Sequence, residues 1–321
     1  ALKRVDASSD PSFRDSFARE FAVLASLSLS GVARVHDLGV MPADAGVPAG
    51  PFFTRSYVDG EPLDVHAATL GAEDVLSLFM RVLDIVAQLH RAGIVHGDIK
   101  PANVIVDHAG GAHLIDFGLS SRGADGERLR GSGTPGFMAP ELFRGGAPSV
   151  AADLYALGAT LWTLLTGRAP LEELGERAIG AKLRGELPTI PKGEEGVRRA
   201  ALEVALWALA DDPRERAPNA DELSARLERA VYGRARARDA RVPSFVAPRM
   251  RGRAELLVAL DRRLREADTE RVALLEAARG LGKSSVLREL KCRLQLAGTS
   301  VIELRCEGAG LDPIIQLLRQ A

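Results

Sequence analysis

The chain has 321 residues, of which 46% are hydrophobic and 26% are charged, and its formal net charge at pH 7 is −1. This balance is typical of a folded globular protein rather than a disordered or fibrous one, and it gives no reason to expect nucleic acid or an anionic membrane as a partner. The two cysteines, Cys292 and Cys306, indicate a reducing compartment, so we expect a cytoplasmic location. The longest uncharged apolar stretch, at about 154–166, is too short to cross a bilayer, and no signal peptide is recognised.

The first hundred residues alternate between strand-like and helical patterns. Residues 2–5 are predicted to end a strand, and 13–27 have apolar residues at the spacing of an amphipathic helix. A segment rich in turn residues at 41–51 precedes a predicted strand at 52–58. A second amphipathic helix is predicted at 75–91.

From Ser149 onward the pattern is mostly helical, with predicted helices at 153–166, 197–210 and 221–231. Few strands followed by many helices predict an α+β fold with a small sheet lobe and a larger helical lobe.

The composition changes between residues 226 and 253, where nine arginines accompany only two acidic residues. We interpret this stretch as a basic linker between domains, with a patch for nucleic acid or an acidic partner as the alternative. A strand at 271–277, a helix at 283–296 and a strand at 300–306 are then predicted, as at the start of a βαβ unit.

The densest group of reactive side chains is His96-Gly97-Asp98-Ile99-Lys100-Pro101-Ala102-Asn103, followed by Asp116-Phe117-Gly118. Phosphoryl transfer from a nucleotide needs a carboxylate to orient the acceptor hydroxyl, ligands for Mg²⁺ and a cation near the γ-phosphate. Asp98 can take the hydroxyl proton and Lys100 can steady the transferred phosphate. Asn103 and Asp116 carry the hard oxygen ligands that suit Mg²⁺.

These residues resemble the protein kinase family in order and spacing. The resemblance implies a two-lobed fold, ATP and Mg²⁺ as cofactors, and a protein as substrate. It also implies that Lys3 grips the α- and β-phosphates of ATP, that Glu20 pairs with Lys3, and that backbone groups near Ser56 to Val58 bind adenine.

The resemblance continues through Gly133-Thr134 and Ala139-Pro140-Glu141, which match the end of the family's activation segment. It implies that Thr134 braces Asp98 and Lys100. It further implies that a buried Asp153 anchors the catalytic loop and that Arg216 pairs with Glu141. His90 is interpreted as a core helix residue.

The pattern fits two kinds of kinase, those that act on proteins and those that act on small molecules. The triplet His96-Gly97-Asp98 also occurs in small-molecule kinases similar to the aminoglycoside phosphotransferases. Those enzymes usually have a histidine in place of Lys100 and lack the segment that ends at Glu141. Lys100 therefore favours a protein substrate, and serine or threonine as the acceptor. Glycine at 97 replaces the family's usual arginine, so we expect activation-loop phosphorylation to matter less.

Residues 277–284, Ala-Ala-Arg-Gly-Leu-Gly-Lys-Ser, resemble a Walker A loop with alanine in place of the first glycine. The resemblance implies that Gly282, Lys283 and Ser284 bind nucleotide phosphates and Mg²⁺ at a helix N-terminus. The first glycine of such a loop permits a tight turn, and Ala277 replaces it here. The alternative is therefore a structural module that has lost nucleotide binding.

We therefore predict a kinase domain at 1–230, an arginine-rich linker at 231–248 and the first part of a P-loop ATPase domain at 249–321. The chain is expected to be a piece of a longer signalling protein whose glycine-rich loop precedes Lys3. The predicted reaction is transfer of the ATP γ-phosphate to protein serine or threonine. The rival is a pseudokinase scaffold that regulates the ATPase module. No oligomeric state is specified by the sequence.

Overall fold

Two small three-stranded sheets and a series of helices form the regular structure of the described residues. The computed structural model describes residues 2–4, 21, 29–41, 50–116, 134–233, 253–265, 275–276, 278, 281–297, 299 and 301. They divide into two compact units, one formed by 23–36 and 55–247 and the other by 2–22, 37–54 and 248–321.

The first sheet contains β1 (Leu2–Arg4), β2 (Val35–Met41) and β3 (Gly50–Arg55), with β3 in the centre. The register pairs Lys3 with Phe53. The predicted strand at 2–5 is confirmed over Leu2–Arg4, but the strand predicted at 52–58 ends at Arg55. Beyond Arg55 the backbone leaves the strand ladder, and irregular structure covers 56–59.

The second sheet belongs to the larger unit and flanks residues 96–103, which are predicted to be catalytic. It contains β4 (Gly60–Pro62), β5 (Val104–Asp107) and β6 (Ala112–Leu114), in the order β4-β5-β6 with antiparallel pairing. The turn between β5 and β6 is closed by Asp107, whose Oδ1 accepts from the amides of Ala109 and Gly111 at 2.9 and 2.8 Å. The hairpin brings Asn103 and Ile115 together, because the Ile115 amide donates to the Asn103 carbonyl at 2.8 Å.

The helices of the larger unit confirm the predicted helical half of the chain, with ends shifted by one to three residues at most positions. They are α1 (Leu63–Ala67), α2 (Ala72–Arg91), α3 (Pro140–Phe143), α4 (Val150–Thr166), α5 (Ala178–Leu183), α6 (Gly196–Ala208) and α7 (Ala220–Tyr232). Short 3₁₀ turns cover Pro101–Asn103, Glu172–Arg177 and Pro213–Glu215.

Helix α4 lies in the core of this unit because nearly all its faces are apolar. Its first turn is capped by Ser149, whose hydroxyl accepts from the Ala152 amide at 3.1 Å, and it ends at Gly167 with a left-handed φ of 75°. Helices α2 and α6 pack against it, and α7 packs against both of them; the leucines buried in this unit include Leu83, Leu157 and Leu227.

The last helix of the larger unit corrects one predicted boundary. Helix α7 continues to Tyr232 and ends at Gly233, which adopts a φ of 70°. Residues 231 and 232 are therefore helical rather than part of the predicted linker, because the first left-handed glycine comes only at 233. Residues 234–248 lie outside the described residues.

Two further helices belong to the smaller unit, α8 (Ala254–Arg265) and α9 (Lys283–Leu296). They share an apolar cluster of Leu257, Val286 and Leu290. Helix α9 has the predicted bounds. The strand predicted at 271–277 is not seen at Leu275 and Glu276, which have irregular backbone without ladder bonds to any described residue.

The remaining predicted elements fall largely outside the described residues. Only Phe21 represents the helix predicted at 13–27, and it is helical. Only Val301 represents the strand predicted at 300–306. Within the described ranges, no helix combines the length and apolar character needed to cross a membrane.

Candidate active site

The catalytic loop is anchored from below by a buried carboxylate. Asp153, on the first turn of α4, is 1% exposed. Its Oδ2 accepts from the His96 amide at 2.8 Å, and its Oδ1 accepts from the Gly97 amide at 2.9 Å. The His90 ring Nε2 on α2 lies 2.9 Å from Oδ2. The predicted anchoring contact is confirmed, and His90 is a partner of the anchor as well as a core residue.

Gly97 shows why glycine suits this loop. Its φ is +79°, in the left-handed region where glycine alone carries no steric penalty. The bond from its amide to Asp153 holds the loop in that conformation.

His96 connects the catalytic loop to the segment that carries Asp116. The Asp98 amide donates to His96 Nδ1 at 3.2 Å, which makes Nδ1 the acceptor of the ring. The proton therefore resides on Nε2, which donates to the Ile115 carbonyl at 3.2 Å. The buried imidazole thus fixes Ile115, next to Asp116, against the loop of Asp98.

Two of the predicted site residues, Lys100 and Asn103, contact the carboxylate of a third, Asp98. Asp98 Oδ2 lies 2.9 Å from Lys100 Nζ and accepts from Asn103 Nδ2 at 2.8 Å. Asn103 Nδ2 also donates to the Asp98 carbonyl at 2.7 Å. Lys100 Nζ donates to the Thr134 hydroxyl at 3.3 Å, so Thr134 contacts Lys100, one of the two residues that it is predicted to brace.

The two carboxylate oxygens of Asp98 have different surroundings. Oδ2 is engaged by an ammonium and an amide. Oδ1 is therefore the oxygen that can receive a hydroxyl proton. Because the Asn103 amide nitrogen is spent on Asp98, its Oδ1 is the atom that can ligate a metal.

Asp116 has a neighbour that the sequence did not reveal. The Arg55 guanidinium, at the end of β3, lies 3.4 Å from Asp116 Oδ1, measured from Nη1. Asp116 also has a φ of 57°, which is uncommon for a residue with a side chain and is often found at functional sites. Phe117 and Gly118 lie outside the described residues.

The end of the segment that starts at Thr134 is fixed by Arg216. The side chain of Arg216 is 0% exposed and binds Glu141 through two parallel bonds, of 2.7 Å to Oε1 and 2.8 Å to Oε2. Its remaining N–H groups donate to the carbonyls of Ala210, Ala151 and Asp211 at 2.8, 2.9 and 3.0 Å. All five donors of the guanidinium are used, and the predicted pair is confirmed.

The other nucleotide-binding residues are placed less completely. Lys3 lies in β1 of the smaller unit, and Glu20 lies outside the described residues. The Ser56 amide donates to the Arg34 carbonyl at 2.8 Å, so any adenine contact of Ser56 falls to its carbonyl oxygen. Val58 follows in irregular backbone and is half-buried.

The predicted P-loop leads directly into α9. Gly282 precedes the helix with a φ of +81°, and Lys283 and Ser284 form its first turn. The Lys283 ammonium donates to the Ala278 carbonyl at 3.0 Å. Ala277 lies outside the described residues.

The donor set fits magnesium rather than a metal held by protein alone. In the described part of the chain, no group of three or more His, Cys, Asp or Glu side chains has the arrangement of a metal site. Asn103 and Asp116 provide one amide and one carboxylate, and Mg²⁺ commonly combines a few such ligands with substrate phosphates and water.

Comparison with known proteins decides the family. The model of the protein kinase domain matches residues 1–225. The chain belongs to the protein kinase family. Its protein kinase fold combines helices with small sheets.

Relatives of the chain include bacterial serine/threonine-protein kinases. The chain is 29% identical over 238 residues to the serine/threonine-protein kinase PrkC of Bacillus subtilis, covering 71% of this chain and 36% of the relative. It is 31% identical over 241 residues to the serine/threonine-protein kinase PknB of Mycobacterium tuberculosis, covering 72% of this chain and 38% of the relative. The chain thus spans a little over a third of the length of these relatives.

Proposed function

We propose that the protein carrying this chain transfers the γ-phosphate of ATP to serine or threonine hydroxyls of proteins. The observation that carries the proposal is the cluster of Asp98, Lys100, Asn103 and Thr134, with Oδ2 of Asp98 engaged at 2.9 Å by Lys100 and at 2.8 Å by Asn103. The similarity to bacterial serine/threonine kinases supports the same reaction.

Each residue of the cluster has a distinct role in this proposal. Asp98 orients the acceptor hydroxyl and takes its proton on Oδ1, while Asn103 keeps the carboxylate in position. Lys100, held by Thr134, stabilises the charge of the phosphoryl group in transit. Asn103 and Asp116 hold Mg²⁺, which when bound neutralises charge on the nucleotide phosphates.

The nucleotide is proposed to contact two other parts of the chain. Lys3, supported by Glu20, binds the α- and β-phosphates. The backbone of Ser56 and Val58 binds adenine. These assignments depend on the family resemblance.

The test is transfer of labelled γ-phosphate by the full-length protein and by Asp98→Asn, which keeps the shape of the side chain and removes the base. Asp59→Asn is a matched control, because Asp59 is exposed and pairs only at 3.5 Å with exposed His108. We expect labelled phosphoserine or phosphothreonine with the unchanged protein and the control, and a loss of at least about 100-fold with Asp98→Asn. Equal labelling by Asp98→Asn would reject the proposal.

A folded protein that transfers no phosphate would instead favour the pseudokinase scaffold. Binding of Mg-ATP without transfer, measured by the change in thermal unfolding temperature, would identify that case.

We propose that residues 249–321 begin a P-loop ATPase module. The glycine at φ +81° before α9, with Lys283 and Ser284 in the first turn, supports this assignment. Binding of a fluorescent ATP analogue should remain in Asp98→Asn and weaken in Lys283→Ala. A reducing, cytoplasmic setting is proposed from the two cysteines alone.

A further inference from the structure

Lys182 is a buried cation that the proposed reaction does not use. It lies on α5 and is 3% exposed. Its ammonium donates to the carbonyls of Pro135, Met138 and Gly136 at 2.7, 2.9 and 3.1 Å. An ammonium has three N–H groups, so each carbonyl receives one of them.

The surroundings of Lys182 stabilise the charge without an opposite charge. The ammonium lies 5.0 Å from the ring centre of Tyr155 and 5.8 Å from that of Phe143. No carboxylate within the described ranges lies at ion-pair distance from it. Burial lowers the pKa of Lys182 to about 8, so the ammonium remains the main form at pH 7.

A lysine in such a place is costly for stability alone, because an apolar side chain of similar length would avoid the desolvation of a charge. What lysine provides instead is a fixed conformation of three carbonyl groups within residues 135–138. Its value therefore depends on what the segment that carries them does.

We define the shelf as residues 134–138, the segment that these carbonyls belong to. One end is Thr134, which is exposed and accepts from catalytic Lys100 at 3.3 Å. The other end continues into buried Ala139 and the Arg216–Glu141 pair. Gly136 packs so closely that a Cβ there would lie 2.8 Å from the Cβ of Ala169. The shelf is thus held on its inner side, and Thr134 and Pro135 are exposed beside the catalytic cluster.

We propose that Lys182 is a positioning residue for the protein substrate. By fixing the shelf carbonyls from inside, it sets the surface on which a polypeptide must lie when its hydroxyl reaches Asp98. This role rests on the proposed protein kinase function, because a nucleotide or a small acceptor needs no such surface.

The first test measures the shelf without any substrate. Hydrogen exchange of the amides of Gly136, Phe137 and Met138 is compared in the full-length protein, Lys182→Met and Lys192→Met. Lys192 is an exposed lysine, so its variant controls for loss of charge. We expect exchange about tenfold faster in Lys182→Met, with the control unchanged, because three carbonyls lose their donor.

The second test separates peptide binding from nucleotide binding. With a serine/threonine peptide library as the probe, KM for a peptide that the unchanged protein phosphorylates should rise about tenfold or more in Lys182→Met, while KM for ATP stays within about twofold. Lys182→Gln has an amide with two N–H donors, so its peptide KM should lie between those of the unchanged protein and Lys182→Met. It serves as the test variant if Lys182→Met does not fold.

The outcomes distinguish the two proposals. If the unchanged protein transfers no phosphate, the proposed function fails. If it is active and the Lys182 variants have the same peptide KM, or the same shelf exchange, the role of Lys182 is overturned. Parallel increases in KM for peptide and ATP would likewise overturn it, because they indicate general damage to the domain.

Discussion

The Arg216–Glu141 pair allows the sharpest test of how the shelf is held. Arg216 has a side chain that is 0% exposed, whereas the Glu141 side chain is 20% exposed. Breaking a buried ion pair by removing one partner costs about 3–5 kcal/mol, because the other charge stays buried. Glu141→Gln leaves the buried guanidinium without its opposite charge, but the amide oxygen of glutamine can still accept one of its hydrogen bonds. We therefore expect a cost of about 3 kcal/mol, at the lower end of that range. Arg216→Met should reach the upper end, because three backbone carbonyls also lose their donors.

These losses translate into temperatures that calorimetry can resolve. For a domain of this size, about 1 kcal/mol lowers Tm by about 2–4 °C, so Glu141→Gln should lower it by about 6–12 °C. Arg91→Met is the control, because Arg91 and Asp221 form an exposed pair with side chains 56% and 43% exposed. Such surface pairs contribute at most about 1 kcal/mol.

The double variant gives the decisive comparison. When both partners are removed, no charge remains buried alone, so the combined loss should fall short of the sum by at least about 1 kcal/mol. Additive losses, or a Glu141→Gln variant as stable as the control, would refute the reasoning that the bidentate pair holds this end of the shelf.

Three other perturbations follow from single contacts. Gly97→Ala should lower the unfolding free energy measured with urea by about 1–2 kcal/mol, because Gly97 has a φ of +79° that alanine adopts only with strain. An unchanged unfolding free energy would mean that the loop adopts another backbone conformation in the variant. Arg55→Met should lower the Mg²⁺ concentration for half-maximal phosphate transfer by about fivefold, since an ion pair worth about 1 kcal/mol no longer competes for Asp116; a higher requirement would contradict this. Burial lowers the pKa of Lys182 from 10.5 to about 8, so between these values the unfolded chain binds more protons. The difference in unfolding free energy between the unchanged protein and Lys182→Met should therefore be constant below about pH 8. It should rise in favour of the unchanged protein from there to about pH 10.5, and a fall between these pH values would contradict the reasoning.

Local patterns were sufficient for much of the fold and for part of the site. The apolar periodicity of α2, α6 and α7 depends on neighbouring residues alone, and Asp98, Lys100 and Asn103 are close together because a 3₁₀ turn covers 101–103. The ends of helices were less certain, since they depend on caps such as the hydroxyl of Ser149.

Contacts between residues distant in the sequence could be predicted only where the family resemblance supplied them. Asp153 and Arg216 could be assigned because the family has matching residues. Arg55, His90 and Lys182 had no such guide, and a single basic residue in a helix or strand carries no pattern that names its partner. Lys182 contacts carbonyls 44 to 47 positions earlier in the chain, and only the packed structure brings them together.

Helix α4 explains why these separate contacts act on one site. Its Asp153 holds the loop of Asp98, its Ala151 carbonyl accepts from Arg216 at 2.9 Å, and its Tyr155 ring lies 5.0 Å from both Lys182 and the Arg216 guanidinium. Burial raises the pKa of Tyr155, so its hydroxyl stays neutral beside the two cations. The carboxylate of Asp98, the proposed base, and the shelf are thus both held by one buried helix. A helix that packed more loosely would let the base and the substrate surface move independently, and a small change in their separation is enough to slow a transfer that depends on alignment.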